Sequence, residues 1–315
     1  MTALKNKIDF ALVFTVRNAN PNGDPLDGNR PRTTYEGLGE VSDVCLKRKI
    51  RNRWLDEGNP IFVQSDDRRS DDYLSLKDRA DSINELKACY DSLTDSKKGN
   101  KDKKTPPIHT SDEYIKIACK TWLDVRAFGQ VFAFSEDKKD ENKDSRKKAE
   151  TKKGISIGIR GPVSIHPAFS LNNVNIISTQ ITKSVNLKAS DYPDRKASDT
   201  MGMKHRVDYG VYITYGSVNI QCAAQTGFSE EDTAALKEAL RTLFRNDTSS
   251  ARPDGSMEVV KLIWWEHNCQ NGQYSSAKVH RSLHVKQPAS PDSLPDITVD
   301  ESEIPGLAYT LIDGE

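Results

Sequence analysis

Residues 8 to 55 constrain the fold more than any other stretch of this chain. Ile8, Phe10, Leu12, Phe14 and Val16 alternate with Asp9, Ala11, Val13, Thr15 and Arg17, a period of two that predicts a core strand with one strongly apolar face. The strand runs into a turn-rich segment, Asn20-Pro21-Asn22-Gly23-Asp24-Pro25 followed by Gly28-Asn29-Arg30-Pro31-Arg32. Gly23 and Gly28 permit positive φ or a close approach to a ligand, and Pro21, Pro25 and Pro31 fix φ and keep the loop out of helix. A helix over Val41 to Leu55 follows, capped by Ser42 or Asp43, with Leu46, Ile50 and Trp54 as its core stripe. Lys47 and Arg51 flank that stripe on one side, and Lys49 and Arg53 on the other. Strand, glycine loop and basic helix together predict an anion-binding edge.

The whole-chain charge does not announce such a ligand. Lysine plus arginine equals aspartate plus glutamate at 46 each in 315 residues, so a nucleic-acid function has to rest on how the charge is distributed. Cys45, Cys89, Cys119, Cys222 and Cys269 are odd in number and contain no C-x-x-C pair, which predicts reduced thiols. Met1 to Ile8 has no apolar leader-like core and nothing reaches transmembrane length, so the expected location is cytoplasmic, with no membrane partner.

Further elements follow from the pattern. Asn59 to Thr110 reads as an insertion, helical over Asp71 to Tyr90 and lysine-rich over Asp95 to Lys104. Ser111 to Phe128 returns to helix, and the mixed charges of Glu136 to Lys153 predict a surface loop. Ile155 to Ile159 with Val163 to Ile165 predict a second strand, and Val207 to Tyr215 a third. A capping-box helix starts at Ser229 and buries Leu236, Leu240, Leu243 and Phe244, before a strand over Val259 to Trp265. Ala277, Val279, Leu283 and Val285 suggest one more strand, and the acidic, proline-containing residues from Gln287 a loosely packed tail. The order is strand, helix, strand, strand, helix, strand. The fold class is therefore α+β, with the RNA-recognition-motif-like (ferredoxin-like βαββαβ) arrangement.

Four constellations carry possible chemistry. The basic helix edge and loop suit phosphates without reading bases, whereas the ordinary alternative is a solvated amphipathic helix. G-x-x-x-x-G-K-[ST] and G-x-G-x-x-G are absent, which argues against a mononucleotide site. Asp24 or Asp27 could act on scissile RNA, but such aspartates more often cap turns. In Met201-Gly202-Met203-Lys204-His205-Arg206, Met can wedge against a base while cations hold phosphates; His205 is alternatively a general acid or base. His267, Cys269, His280 and His284 prompt a zinc check, but surface or loop roles fit them better, and Trp264 and Trp265 divide into one core and one exposed ring.

These motifs resemble those of a known family, the repeated RNA-binding backbone subunit of Cascade, the type I CRISPR surveillance complex, closest to its type I-C form. The resemblance is carried by NPNGDP at Asn20 to Pro25, GNRPR at Gly28 to Arg32, SDVCLKRKIRN at Ser42 to Asn52 and DVRAFG at Asp124 to Gly129. IRGPVSI at Ile159 to Ile165, KHRVDYGVY at Lys204 to Tyr212 and SSAR at Ser249 to Arg252 complete it. Met203 and Asp208 stand where the family pattern has a basic residue and a proline.

The resemblance implies a hand-shaped protein with helical finger insertions and a thumb hairpin. The palm begins in residues 1–58 and resumes in 154–286, the fingers occupy 59–153, the thumb lies near 186–206, and 287–315 is an acidic tail. Copies stack head to tail along CRISPR RNA, hold its backbone, and present guide bases to target DNA, with other Cascade subunits at the ends. No catalytic residue, metal or cofactor is expected. The implied RNA contacts are Asn20, Asn22, Gly23, Arg30, Arg32, Lys47, Lys49 and Arg51, with Met203, Lys204, His205 and Arg206 on the thumb. The alternatives are a ferredoxin-like endoribonuclease using His205 or Asp24, and a solitary single-strand RNA-binding domain.

Overall fold

The computed structural model describes residues 2–98, 109–134, 155–182 and 201–315. In chain order its elements are β1 (Ile8–Ala19), β2 (Gly23–Asp24), β3 (Arg30–Pro31), β4 (Leu38–Val41), α1 (Asp43–Asp56), α2 (Leu76–Asp81), α3 (Asn84–Lys98), α4 (Ser111–Thr121) and α5 (Leu123–Phe128). There follow β5 (Gly129–Ala133), β6 (Ser156–Arg160), β7 (Val163–Ile165), β8 (Ala168–Asn173), β9 (Ile176–Thr182) and β10 (Met201–Val218). The rest are α6 (Ile220–Thr226), α7 (Glu230–Arg241), β11 (Met257–Glu266), α8 (Ser276–Arg281), β12 (Leu283–Lys286), β13 (Asp296–Val299) and β14 (Ala308–Asp313). The expected loop over Glu136 to Lys153 lies outside the described residues, as do positions 99–104 of the lysine-rich stretch and 186–200 of the thumb.

The chain divides into two compact units. The larger comprises Asn6–Arg53, Ile165–Val218 and Leu236–Glu315 and holds the central sheet, ordered β14-β11-β1-β10-β8-β4, with β9 on the first half of β10. The pairs β1·β10, β1·β11 and β10·β8 are all antiparallel. Taken as strands one to four of the palm, β1, β8, β10 and β11 lie in the spatial order four, one, three, two, which is the RNA-recognition-motif arrangement. The α+β palm expected from the pattern is therefore present, with one change of strand. Ser156–Arg160 pairs with β5 in the other unit, and the second palm strand is Ala168–Asn173. Its sequence, AFSLNN, has too weak an alternation to show itself.

Both faces of β1 are covered, so Asp9, Ala11 and Val13 are as buried as Phe10 and Phe14. On one face Phe10 stacks on Trp264 at 5.6 Å and Phe14 on Tyr212 at 5.3 Å, with Phe244 edge-on to Phe14. Each such ring removed from water contributes about 2–3 kcal/mol. On the other face Ala11, Val13, Ile263 and Trp265 pack with Val279, Leu283, Ile304 and Leu307. Trp264 and Trp265 are thus both core residues, and neither offers a stacking surface.

The acidic tail supplies that second cover. It is not loosely packed: β13 pairs with β12, β14 adds an edge strand to β11, and Ile304 and Leu307 are buried. Nor is 277–285 one strand. Ser275 accepts from the Lys278 amide and starts α8, which carries Val279 into the core, and extended backbone begins only at Leu283. A side-chain oxygen that caps the first turn favours helix over a weakly alternating pattern.

The second unit comprises Met1–Lys5, Trp54–Ser164 and Asn219–Ala235. Its core is aromatic, with Phe62 packed on Trp122 and Phe132, and Tyr114 edge-on to Phe132. The DVRAFG segment organises it. Asp124 accepts the amides of Phe62 and Val63 at 2.7 and 3.0 Å. Arg126 makes two 2.7 Å bonds to Asp232 and a third, at 2.6 Å, to the Cys119 carbonyl. A buried charge so fully bonded is structural, because losing one partner would strand the other without water.

Candidate nucleic-acid interface

The proline-glycine loop is a hairpin built against the palm. Gly23 pairs with Pro31 and Asp24 with Arg30. A Cβ on Gly23 would lie 2.0 Å from the Asn29 side-chain oxygen, so only glycine permits this approach. Asp24 caps the short helical turn by accepting from Leu26 N at 3.0 Å and holds Arg32 at 3.3 Å. That engagement favours its turn role over a catalytic one.

Two asparagines of the loop make internal bonds. Asn20 is buried and donates Nδ2 to the Asn29 carbonyl at 2.7 Å, while its backbone N–H donates to Ala251 of the SSAR turn at 2.9 Å. Asn22 Oδ1 accepts from both the amide (3.0 Å) and the hydroxyl (2.9 Å) of Ser42, and Ser42 Oγ accepts from Cys45 N at 3.3 Å at the start of α1. The side-chain bonds of Asn20 and Asn22 therefore shape the loop.

Helix α1 separates its lysines sharply. Lys47 is half-buried and pairs with Asp43 at 3.0 Å, one turn earlier. Lys49, expected on an exposed edge, is buried, ion-paired with Asp247 and set over the Phe244 ring at 5.6 Å. Burial pushes its ammonium below the ordinary lysine value against the opposing pull of Asp247. Asp247 also holds Arg252 at 2.9 Å. The correction arises because Phe244 and Asp247 follow α7, about 200 positions away in sequence, and close over that side of α1. Arg51 is half-buried.

The hairpin strand brings the third set of residues. β9 and the first part of β10 pair from Met201↔Thr182 to Val207↔Ile176, which places Met201, Met203 and His205 on one face and Lys204 and Arg206 on the other. Met201 and Met203 are 62% and 54% exposed, and Lys204 is exposed. The loop strand β3 lies against β10. There Arg30 Nη1 donates to Ser178 Oγ at 3.4 Å, and Ser178 Oγ lies 2.8 Å from His205 Nδ1. Of the expected residues, Arg30 and His205 are thus brought together through Ser178, which the sequence pattern did not single out.

The histidines of the zinc check are placed differently from expectation. His267 is buried, with Nε2 2.8 Å from Asp9 Oδ2 and Nδ1 accepting from Gln273 N at 2.9 Å. Both ring nitrogens are occupied, which leaves neither for a metal. Burial alone would raise the Asp9 carboxyl, but hydrogen bonds from His267 and Lys7 outweigh it and hold Asp9 below its ordinary value. His280 stacks on Tyr215, and burial keeps it below the usual imidazole range. Among the described residues, Cys89, His109 and Glu113 do bring three potential ligand atoms within 4.8 Å of one another. Glu113 Oε2 there already accepts from Thr110 N at 2.9 Å in the α4 capping box.

A βαββαβ palm with a cationic loop hairpin docked on one of its strands defines an RNA-recognition-like class. The family model for CRISPR-associated protein Cas7 matches residues 6–302, and the chain belongs to that family. A relative from Haloferax volcanii, described as CRISPR-associated protein Cas7, is 26% identical over 314 residues, covering 96% of this chain and 83% of the relative. Among solved structures, a chain of a CRISPR RNA-guided surveillance complex described as pre-nicking matches with TM-score 0.46 and 17% identity, over 82% of this chain and 78% of that one. A second such complex matches with TM-score 0.39 and 15% identity, over 82% and 68%. No described helix is long and apolar enough to cross a membrane.

Proposed function

We propose that this chain is a non-catalytic backbone subunit of a Cascade-type complex, closest to the type I-C form. It polymerises head to tail along CRISPR RNA, holds the guide backbone and presents guide bases for pairing with target DNA, while other subunits close the ends. The observation that carries this reading is the docking of the GNRPR strand on β10. It gathers Arg30, Arg32, Lys204, His205 and Arg206 around one strand pair, with Lys47 and Arg51 on the helix that follows the loop.

Such an array neutralises phosphates whatever the base sequence, as a protein carrying many different guides requires, and leaves sequence reading to base pairing. A formal net charge of zero suits a chain whose opposite ends must attract copies of itself. The ribonuclease alternative is disfavoured because Asp24 is committed to a turn cap and Arg32, and His205 is bonded to a serine instead of a carboxylate.

The test is the mass of the purified protein with and without spacer-length RNA, followed for hours. Ordered, length-dependent multimers on uncut RNA are expected. A monomer that turns over cut RNA, with cleavage abolished by His205→Ala or Asp24→Ala, would overturn the proposal, and a single bound copy at every RNA length would indicate a solitary binding domain.

A further inference from the structure

Ser178 joins two segments that the sequence keeps far apart. It lies on β9 directly across from His205 of β10, and it receives Arg30 from a loop 148 positions earlier. The hydrogen-bonding inventory of these three groups restricts how they can be arranged. A guanidinium only donates, so Arg30 takes a lone pair of Ser178 Oγ. The hydroxyl keeps one proton and a second lone pair, and in one of the two arrangements open to it the proton goes to His205 Nδ1, 2.8 Å away. In that arrangement Nδ1 is unprotonated and the ring proton sits on Nε2.

We propose that Ser178 is a positioning residue that sets Arg30 and His205 as one phosphodiester-binding unit. Arg30 supplies guanidinium N–H groups, His205 supplies Nε2–H, and together they match the two non-bridging oxygens of one phosphate. Met201 and Met203 share the face of the hairpin that bears His205 and are more than half exposed, which places apolar, adaptable surface beside the phosphate for the attached ribose or base. Gln180 Nε2 donates to Met201 Sδ at 3.1 Å and steadies that edge. The inference rests on the RNA-binding reading above and adds to it a residue and a geometry.

The experiment measures binding of spacer-length single-stranded RNA over a salt series for the wild type, Ser178→Ala, Ser178→Thr, Arg30→Ala and the Arg30→Ala/Ser178→Ala pair. Ser178 is exposed, so the melting temperature of each Ser178 variant should match the wild type. Ser178→Ala is expected to weaken binding about 5- to 10-fold, the effect of losing one ordinary hydrogen bond. It should also lower the salt slope by up to about 0.7, the value for one single-strand phosphate contact, although it removes no charge.

Ser178→Thr keeps the hydroxyl and should bind as the wild type does. The double variant should bind no more weakly than Arg30→Ala alone. Nitrogen chemical shifts of His205 should show an unprotonated Nδ1 in the wild type and a mixture of tautomers in Ser178→Ala. Failure of the wild type to bind RNA would overturn the functional reading and this inference together. Wild-type binding with an unchanged affinity and slope in Ser178→Ala, or strictly additive losses in the double variant, would overturn this inference alone.

Discussion

The two ends of β1 carry polar clusters of similar composition and opposite character. At the start, Asp9, Lys7 and His267 form a buried set in which both histidine nitrogens are occupied and the carboxylate is fully buried, with His280 Nε2 3.8 Å from its other oxygen. At the other end the strand opens into a loop of arginines that meets an exposed hairpin through Ser178. Sequence alone flags His267 and His205 alike. What separates them is their surroundings: His267 is buried with both ring nitrogens engaged, whereas His205 lies on a hairpin beside exposed Met203 and Lys204.

Substitutions sharpen this contrast. The largest effect is expected for Asp9→Ala, which leaves Lys7 and His267 without their shared partner and should cost about 3–5 kcal/mol by urea unfolding. RNA affinity of the folded fraction should be unchanged, and a selective loss of RNA binding with full stability would break the division between the two ends. The acid dependence has a definite sign. Asp9 is held below its ordinary value, so its contribution is present above an unfolded-state pKa of about 3.9 and is lost as pH falls through the lower folded value. The stability advantage of the wild type over Asp9→Asn should therefore be constant above about pH 5 and shrink below about pH 4. An advantage that grows on acidification would contradict the assignment.

The same contrast recurs within α1, on a smaller scale. Lys49→Ala should destabilise by roughly 2–4 kcal/mol, because Asp247 loses a buried partner and Phe244 its neighbouring cation. Lys47→Ala should change stability by less than about 0.5 kcal/mol, as its pair with Asp43 is partly solvated. In RNA titrations the ranking should reverse. Lys47→Ala is expected to weaken binding without changing sequence preference and to lower the salt slope by about 0.7, the smallest effect of the series. An unchanged slope would remove Lys47 from the phosphate contacts.

Local pattern exposed much of this fold. β1, α1, β10, α7 and β11 each announce themselves through period and capping, since the apolar side chains that define the pattern are those buried in the palm. Elements whose existence depends on remote partners stayed hidden. β8 and β9 mix apolar and polar residues without a clear period and gain meaning only beside β10, and β14 is an exposed edge strand whose alternation is diluted by acids and prolines nearby. The loop was legible as a turn-rich segment carrying arginines, whereas the pattern did not show that residues near 244–247 bury Lys49 or that the side chains of Asn20 and Asn22 bond within the protein. Ser178 had no signal of its own: a lone serine becomes informative only when Arg30 and His205 stand on either side of it.

The bond from Asn22 to Ser42 has a thermodynamic consequence for assembly. The oxygen that anchors the loop also holds the residue that caps α1, so displacing the loop would fray the helix as well. The arginines are therefore carried on a segment already ordered before any ligand arrives. Ordering costs on the order of 0.5–1.5 kcal/mol for each immobilised side chain. Under the proposed function, a subunit that has met that cost during folding would not meet it again each time another copy joins the RNA, so a long array could grow from contacts that are individually weak.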